Sequence, residues 1–335
     1  MLGAAILLVA IGAAMLFSSS YTDQRLSPRF MRQLIALLAA VLAAFFVART
    51  PYHVIQRYAL ALYGAAIMGI AAVIAIGQVI RGTTSRLSLA GFQLQPSEFM
   101  KVALIVLLAW LMARSERLSW HLILKTVLFT ALPVAIIASE PDVGVAVLLL
   151  ATWGGMLFFW GLSWTATLSF GLLGVVTFFA SWQWVFADYQ KTRLLTFLNP
   201  LHDPLGAGYN VTQSIIALGS GRLLGRGLGH GPQSQLKFLP EQHTDFILAS
   251  IGEELGFIGV AIVLCLYAII LWRILLVAQE TRDPFGQLIA VGAFFLLLFS
   301  LIVSAGMNMG LLPVTGIPLP LVSYGGSSLL ATFIL

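Results

Sequence analysis

Asp245 ends a polar stretch, Leu239-Pro240-Glu241-Gln242-His243-Thr244-Asp245, and the apolar run Phe246-Ile247-Leu248 follows at once. A carboxylate with an ordinary pKa of about 3.9 is ionised at neutral pH and can take a proton from an attacking hydroxyl. The same boundary is where a helix begins, and Asp245, or Thr244 beside it, could simply cap that helix. On residue type alone the cap is the simpler role. His243 titrates near neutrality and is a rival base, although a loop histidine more often serves as a hydrogen-bonding residue. Glu241, after Pro240, could orient a cation or stay hydrated in support.

Cations that could meet a phosphate lie elsewhere in the chain. Lys101 and Glu98 are one helical turn apart just after Pro96-Ser97. Ser97 reads as an N-cap, and Glu98 suits the positive end of a helix and an i,i+3 pair with the lysine. An ionisable pair in an apolar helix is costly to insert, which makes it a functional candidate as well as a local ion pair. Arg86 and Arg193 could each bind phosphate oxygens bidentately or anchor to lipid headgroups; Lys191, Arg222, Arg226 and Lys237 rank below them. Glu140 and Asp142 flank Pro141 at a helix start, where they are electrostatically suited. They could also hold a divalent cation such as Mg²⁺, but no spacing in the chain defines a metal site, and no cofactor is otherwise implied. Glu253 and Glu254 fall more than two turns into an apolar run and must face a polar interior or a partner. Glycines 206, 208, 219, 221, 225, 227, 229 and 231 suit tight turns better than a phosphate cradle, because no P-loop or dinucleotide ending accompanies them. Tyr324-Gly325-Gly326-Ser327-Ser328 could line a groove or let helices approach closely.

The elements that carry these residues are apolar. Of 335 residues, 59% are hydrophobic and 9% charged, where a soluble domain carries about 25% charged residues. Runs long enough to cross a ~30 Å hydrocarbon core fall at about 2–19, 33–48, 58–80, 98–113, 121–139, 142–160, 163–186, 246–277, 285–307 and 319–335. The expected fold is all-α and polytopic, with about ten spans in one transmembrane domain over 1–335. A loop at about 186–245 separates the seventh span from the eighth; connections beyond about 15 residues usually carry function. The first run lacks a basic n-region and a small-residue cleavage site, so it reads as a retained helix. The last ends at Leu335 without a polar flank, as a helix cut short would.

Cys265 is the only cysteine, which excludes an intramolecular disulfide and a four-cysteine metal site. The net charge of +5 comes from Lys and Arg scattered among short loops, a pattern of membrane flanking rather than of nucleic-acid binding. With a cytoplasmic N-terminus, the inner flanks hold Arg49, Arg57, Arg114, Arg117, Lys125, Arg273 and Arg282, against Arg25, Arg29, Arg32, Arg81 and Arg86 outside. This small positive-inside bias puts the long loop outside. Three more polar islands, 86–101, 139–142 and 316–328, then lie on the same side as the loop.

Together the islands resemble the SEDS family (shape, elongation, division and sporulation), polytopic glycosyltransferases that polymerise lipid-linked peptidoglycan precursors. The carrying residues are Gln95-Pro96-Ser97-Glu98 with Lys101, Pro141-Asp142-Val143-Gly144, Asp203-Pro204 with Gly208-Tyr209, the stretch 239–246, Glu253-Glu254-Leu255-Gly256, Pro313-Val314-Thr315-Gly316-Ile317-Pro318-Leu319-Pro320, and 323–328. Residues 193–221 and 311–328 look more like its RodA branch, which serves elongation, than its FtsW branch, which serves division. The chain departs at Leu87, where the family usually has Trp, at Asn210 for Gln, at Arg222 for Gly and at Val145 for Thr. No carboxylate or lysine of the pattern is lost.

The resemblance implies that Asp245 is the catalytic base of an inverting transfer that joins lipid II units into β-1,4 glycan on the outer face of the cytoplasmic membrane. It places Lys101, held by Glu98, with Arg193 and Arg86 at the substrate pyrophosphate, and His243, Glu241 and Ser327 at the substrate. It also implies a class B penicillin-binding protein as partner. A flippase for the same lipid is the rival of another class, since a basic cavity suits that cargo too. However, transporters tend to bind between inverted repeats near the midplane, whereas this chain has no obvious repeat and its polar residues crowd one face. A non-catalytic scaffold is the third reading; it would tolerate neutral replacement of the carboxylates and cations.

Overall fold

The structure is a computed structural model that describes residues 1–20, 28–76, 78–80, 83–89, 92–115, 118–140, 142–184, 188–199, 206–236 and 238–335. The chain opens with α1 (Leu2–Ser20), α2 (Pro28–Arg49), the short α3 (Tyr52–Arg57) and α4 (Ala59–Ile76). A small antiparallel sheet follows, of β1 (Gln78–Ile80), β2 (Thr83–Leu89) and β3 (Phe92–Leu94), with β2 in the centre. Then come α5 (Pro96–Ala113), α6 (Trp120–Ser139), α7 (Val143–Phe159) and α8 (Trp164–Trp184). The long connection carries α9 (Asp188–Leu198), α10 (Ala207–Ser220) and α11 (Pro232–Gln235), and the chain finishes with α12 (Ile247–Glu280), α13 (Pro284–Asn308) and α14 (Gly326–Ile334).

Among the described residues α2, α5, α6, α12 and α13 are long and apolar enough to cross a membrane, and shorter apolar stretches lie at Leu2–Ser18 of α1, Ala59–Ala75 of α4, Val143–Phe159 of α7 and Trp164–Ala180 of α8. Large apolar side chains face outward, among them Leu168, Leu172, Val176 and Phe179 on α8. Such a surface is stable only against lipid, and the protein is an integral membrane protein. The helices divide by position. In the apolar window of α5, 72% of residues are buried, against 11% in α2, so α5 is the central post of the bundle. Its Met100, Leu104, Leu107 and Leu108 form one core with Leu149 and Met156 of α7 and Leu288 and Val291 of α13. A second core joins Leu8 and Met15 of α1 to Ile251, Val263 and Tyr267 of α12 and to Leu319 and Val322.

Among the described residues nine of the ten expected runs are helical, with shifted ends, and five of those helices are long and apolar enough to span. The third stops at Ile76, short of residue 80, because the chain turns there into the sheet. The tenth is a correction. No single helix fills 319–335; residues 309–325 are irregular and α14 has nine residues. Pro313, Pro318 and Pro320 lack the N–H that a helix needs, and Gly316 adopts a φ of 74°. Close approach fixes this segment instead: a Cβ at Gly144 of α7 would sit 2.6 Å from the Thr315 carbonyl, and one at Gly12 of α1 would strike that of Val322. The described residues of the long loop include three helices, α9, α10 and α11, separated by turns. α12 breaks at Gly256, whose φ of 70° and ψ of −168° lie outside the helical region.

Candidate active site

The lysine half of the site is built on α5. The N-cap is Gln95, with Pro96 at the first helical position, where a missing N–H costs nothing. Ser97 therefore lies inside the helix and does not cap it, and its Oγ is buried without a partner among the described residues. Gln95 ties this helix start to two neighbours: its N–H donates to Ser327 Oγ at 3.1 Å and its Nε2 to Asp142 Oδ2 at 3.1 Å. Asp142 itself caps α7, Oδ1 accepting from Val145 N at 3.4 Å. One turn into α5, Lys101 Nζ meets Glu98 Oε2 at 2.7 Å, with the two side chains 9% and 3% exposed. A buried pair of this kind is weak as a source of stability, because desolvation offsets much of its attraction. It opens onto a small cleft that Ser300 of α13, Pro320, Ser328 and Thr332 also line. Ser328 faces the lysine's cleft, while Ser327, the serine singled out from the sequence, accepts from the backbone of Gln95.

The carboxylate half is a turn at 240–246. Glu241 has a φ of 55°, and its carbonyl accepts from the N–H groups of Thr244 and Phe246 at 3.1 and 3.2 Å. Its Oε2 accepts from Thr244 Oγ1 at 3.0 Å, so Glu241 organises the turn. Neither Asp245 nor Thr244 caps α12; Phe246 occupies that position, and no side chain caps the helix there. The Asp245 backbone is held from α13: Asn308 Nδ2 donates to its carbonyl at 2.8 Å, and Asn308 Oδ1 accepts from Ala249 N at 2.9 Å. Asn308 is fully buried, and its amide is a buried polar group at the end of an apolar helix. The Asp245 carboxylate lies over Gly316, where an added Cβ would stand 3.7 Å from Oδ2.

Residues 313–328 join the two halves. Ser323 Oγ donates to the Thr244 carbonyl at 2.6 Å, and Tyr324 N donates to that of His243 at 2.8 Å. Pro320 and Ser328 of the same segment line the cleft of Lys101, and the Pro320 carbonyl accepts from Tyr267 Oη of α12. His243, half-buried, is thus fixed beside Asp245 through its backbone.

Other candidates fall further out. Arg193 is exposed on α9. Arg86 lies in β2, its backbone opposite Gln78; its side chain lies outside the described residues, as do Pro141, Asp203, Pro204 and Lys237. Arg226 Nε donates to the Ser220 carbonyl at 3.2 Å and is exposed. Gly225, Gly227 and Gly229 have φ of 81°, 93° and 76°, as turns require. Glu140 is buried in the turn between α6 and α7, with Oε1 unpartnered among the described residues. Burial, and then the charge of Asp142, pushes its carboxyl up to about 7. Among the described residues no group of three or more His, Cys, Asp or Glu is placed to hold a metal.

A polytopic helical membrane protein with a buried lysine–glutamate pair and a carboxylate turn joined by one irregular segment is the class this fold and site define. The chain belongs to the FtsW/RodA/SpoVE family of cell cycle proteins, which it matches over residues 1–335. It is 37% identical over 332 residues to the peptidoglycan glycosyltransferase MrdB of Escherichia coli, covering 96% of this chain and 87% of that protein. Among solved structures it resembles a chain of a peptidoglycan synthase complex described as coordinating polymerization and crosslinking, with a TM-score of 0.82, 29% identity, and coverage of 98% of this chain and 94% of the other. The rod shape determining protein RodA of Thermus thermophilus matches with a TM-score of 0.72 and 28% identity, over 99% of this chain and 92% of that one.

Proposed function

We propose that this chain is a peptidoglycan glycosyltransferase that polymerises lipid II into β-1,4 glycan strands during cell-wall elongation. The observation that carries the reading is the convergence of the Lys101–Glu98 pair and the Asp245 turn on residues 313–328, in a chain that matches the family from end to end. Asp245 takes the proton of the acceptor 4-hydroxyl as that oxygen bonds to the donor's anomeric carbon. The bond from that carbon to the pyrophosphate oxygen breaks, and undecaprenyl pyrophosphate leaves with the electron pair. The donor is α-linked and the product β-linked, so one inverting displacement suffices.

Lys101 offsets charge on the departing pyrophosphate while Glu98 fixes the ammonium, with Arg193 and Arg86 as further cations. His243 and Glu241 flank the base, and Ser327 sets the mouth of α5. The whole chain acts as one transmembrane domain in the cell membrane, with the site on its extracytoplasmic face. The elongation assignment draws support from the MrdB and RodA relatives; a division role of the FtsW kind is the alternative within the family. A class B penicillin-binding protein is the partner that would cross-link the product, a reading that the similarity to a synthase complex supports.

Reconstitution in liposomes with labelled lipid II in both leaflets tests the reading against a flippase. Polymer length is resolved on a gel and leaflet accessibility of the label is followed alongside. An enzyme makes polymer from the lipid II on its own face without transbilayer movement. Rapid leaflet exchange with no polymer, unchanged in Asp245→Asn and repeated with a penicillin-binding partner present, would replace the glycosyltransferase by a transporter.

A further inference from the structure

Glu253 and Glu254 are almost wholly buried, 0% and 1% exposed, and the reaction above makes no use of them. Among the described residues the partners of their carboxylates come from one stretch of the long loop and from α1. Glu253 Oε1 accepts from Gln233 N at 2.7 Å, and its Oε2 accepts from Ser234 N at 2.9 Å and from the Ser234 hydroxyl. Glu254 Oε2 accepts from Ser18 Oγ of α1 at 2.6 Å and from Gly229 N at 3.2 Å, and Oε1 accepts from Gln235 Nε2 at 3.4 Å. Both oxygens of both carboxylates are acceptors.

The backbone beneath them is engaged with the same loop. In an unbroken helix the carbonyls of Glu253 and Glu254 would accept from the N–H groups of Phe257 and Ile258. The break at Gly256 separates those rungs, and the loop completes all four. The Glu253 and Glu254 carbonyls accept from Arg226 N and Gly227 N, both at 3.0 Å, while Phe257 N and Ile258 N donate to the carbonyls of Arg222 and Leu223 at 2.9 and 3.2 Å. Gly225 and Gly256 meet backbone to backbone, and a Cβ on either would collide with the other's chain. Residues 222–235 are thus a strap plugged into α12. The strap leads to the base: Leu239 N donates to the Gln233 carbonyl at 3.3 Å, Ser250 Oγ donates to that of Gln242 at 3.3 Å, and the turn to Asp245 follows.

We propose that Glu253 and Glu254 are positioning residues, which clamp the 222–235 strap into the break of α12 and so set the place at which the 239–245 turn presents Asp245. The inference rests on the glycosyltransferase reading. Displacing a reacting group by about 1 Å can cost about 100-fold in rate while leaving binding nearly untouched. A clamp therefore acts on turnover, whereas a residue that only stabilises the fold changes the yield of folded protein.

The test compares wild type with Glu253→Gln and Glu254→Gln, in which one acceptor becomes an N–H donor facing other donors. Lipid II turnover, lipid II affinity and amide hydrogen exchange are measured on the full chain in detergent or liposomes. Expected are a roughly 10- to 100-fold fall in kcat with affinity within about twofold, and faster exchange over 225–245 while α5 stays protected. Ser18→Ala and Ser234→Ala remove single donors outside α12 and should lower kcat about two- to fivefold in the same sense; they decide the matter should a glutamine variant fail to fold. Wild-type kcat and protection in these variants, or a loss confined to affinity, overturns the clamp. A wild-type protein that makes no polymer overturns the enzyme reading instead, and the exchange pattern still shows whether the carboxylates hold the strap.

Discussion

The two halves of the site are held by different means. Lys101 sits on the most buried helix of the bundle, and its direct restraint is a side-chain bond to Glu98 one turn away. Asp245 sits on a turn whose backbone is held on several sides: the Glu241 carbonyl accepts from Thr244 N and Phe246 N, while Ser323 Oγ, Tyr324 N and Asn308 Nδ2 donate to the carbonyls of Thr244, His243 and Asp245. The lysine's placement is therefore a local property of α5, while that of the carboxylate also depends on two remote parts of the chain, Asn308 and Ser323-Tyr324. A cation that stabilises a leaving group can act from a fixed helix as a point charge. A base must come within hydrogen-bond reach of one hydroxyl, and a turn restrained from several sides achieves that.

The comparison breaks most sharply at the base. Asp245→Asn keeps size and backbone bonds and removes the proposed proton acceptor, so polymerisation should fall more than about 100-fold, read as polymer on a gel. Near wild-type polymer from Asp245→Asn, with His243→Ala inactive, would move the base to the histidine. Next comes the cation. Lys101→Ala should lower donor use by about 10- to 100-fold and leave Glu98 as an unpaired buried carboxylate. Lys101→Arg should rescue only in part, because a planar fork does not replace a point charge. Unchanged turnover and affinity in Lys101→Ala would make the pair structural only.

The smallest effect falls on the turn beside the start of α5. Glu140 has its carboxyl raised from 4.5 to about 7. Below about pH 4.5 it is protonated whether folded or unfolded and contributes nothing to the pH dependence. Between about 4.5 and 7 the unfolded chain releases the proton while the folded one keeps it, so stability falls as pH rises and then levels off. Glu140→Gln escapes that loss. Its unfolding free energy should gain on wild type between about pH 5 and pH 8 by on the order of 1–3 kcal/mol, read as a higher thermal midpoint. A gap independent of pH would show that burial does not hold this carboxyl neutral.

Much of the lysine half was legible in the sequence, because an i,i+3 charge pair after a proline in an apolar run is a local pattern. The membrane architecture was equally legible, and the loop stood out as the one long polar insertion. The carboxylate half was less so. Asp245 was visible, but its scaffold was not: Asn308 looks like an ordinary helix end, and the partners of Glu253 and Glu254 are amides about twenty residues away together with the hydroxyls of Ser234 and of the remote Ser18. Backbone donors leave no trace in residue type. Over 319–335 the sequence reads as a continuous helix because Leu319, Leu321 and Val322 keep hydropathy high, while Pro320 lacks the N–H, Leu321 takes a φ of 66° and α14 begins only at Gly326. That irregular segment is the one joining the halves. Ser327 and Ser328 are adjacent and identical in type, so nothing in the sequence could say which faces the lysine.

The most direct measurement is lipid II binding and single-turnover transfer in the same liposomes for wild type, Asp245→Asn and Lys101→Ala. The account predicts a split: Asp245→Asn binds lipid II like wild type and transfers more than about 100-fold more slowly, while Lys101→Ala is impaired in its use of donor. Transfer by Asp245→Asn at the wild-type rate would contradict it.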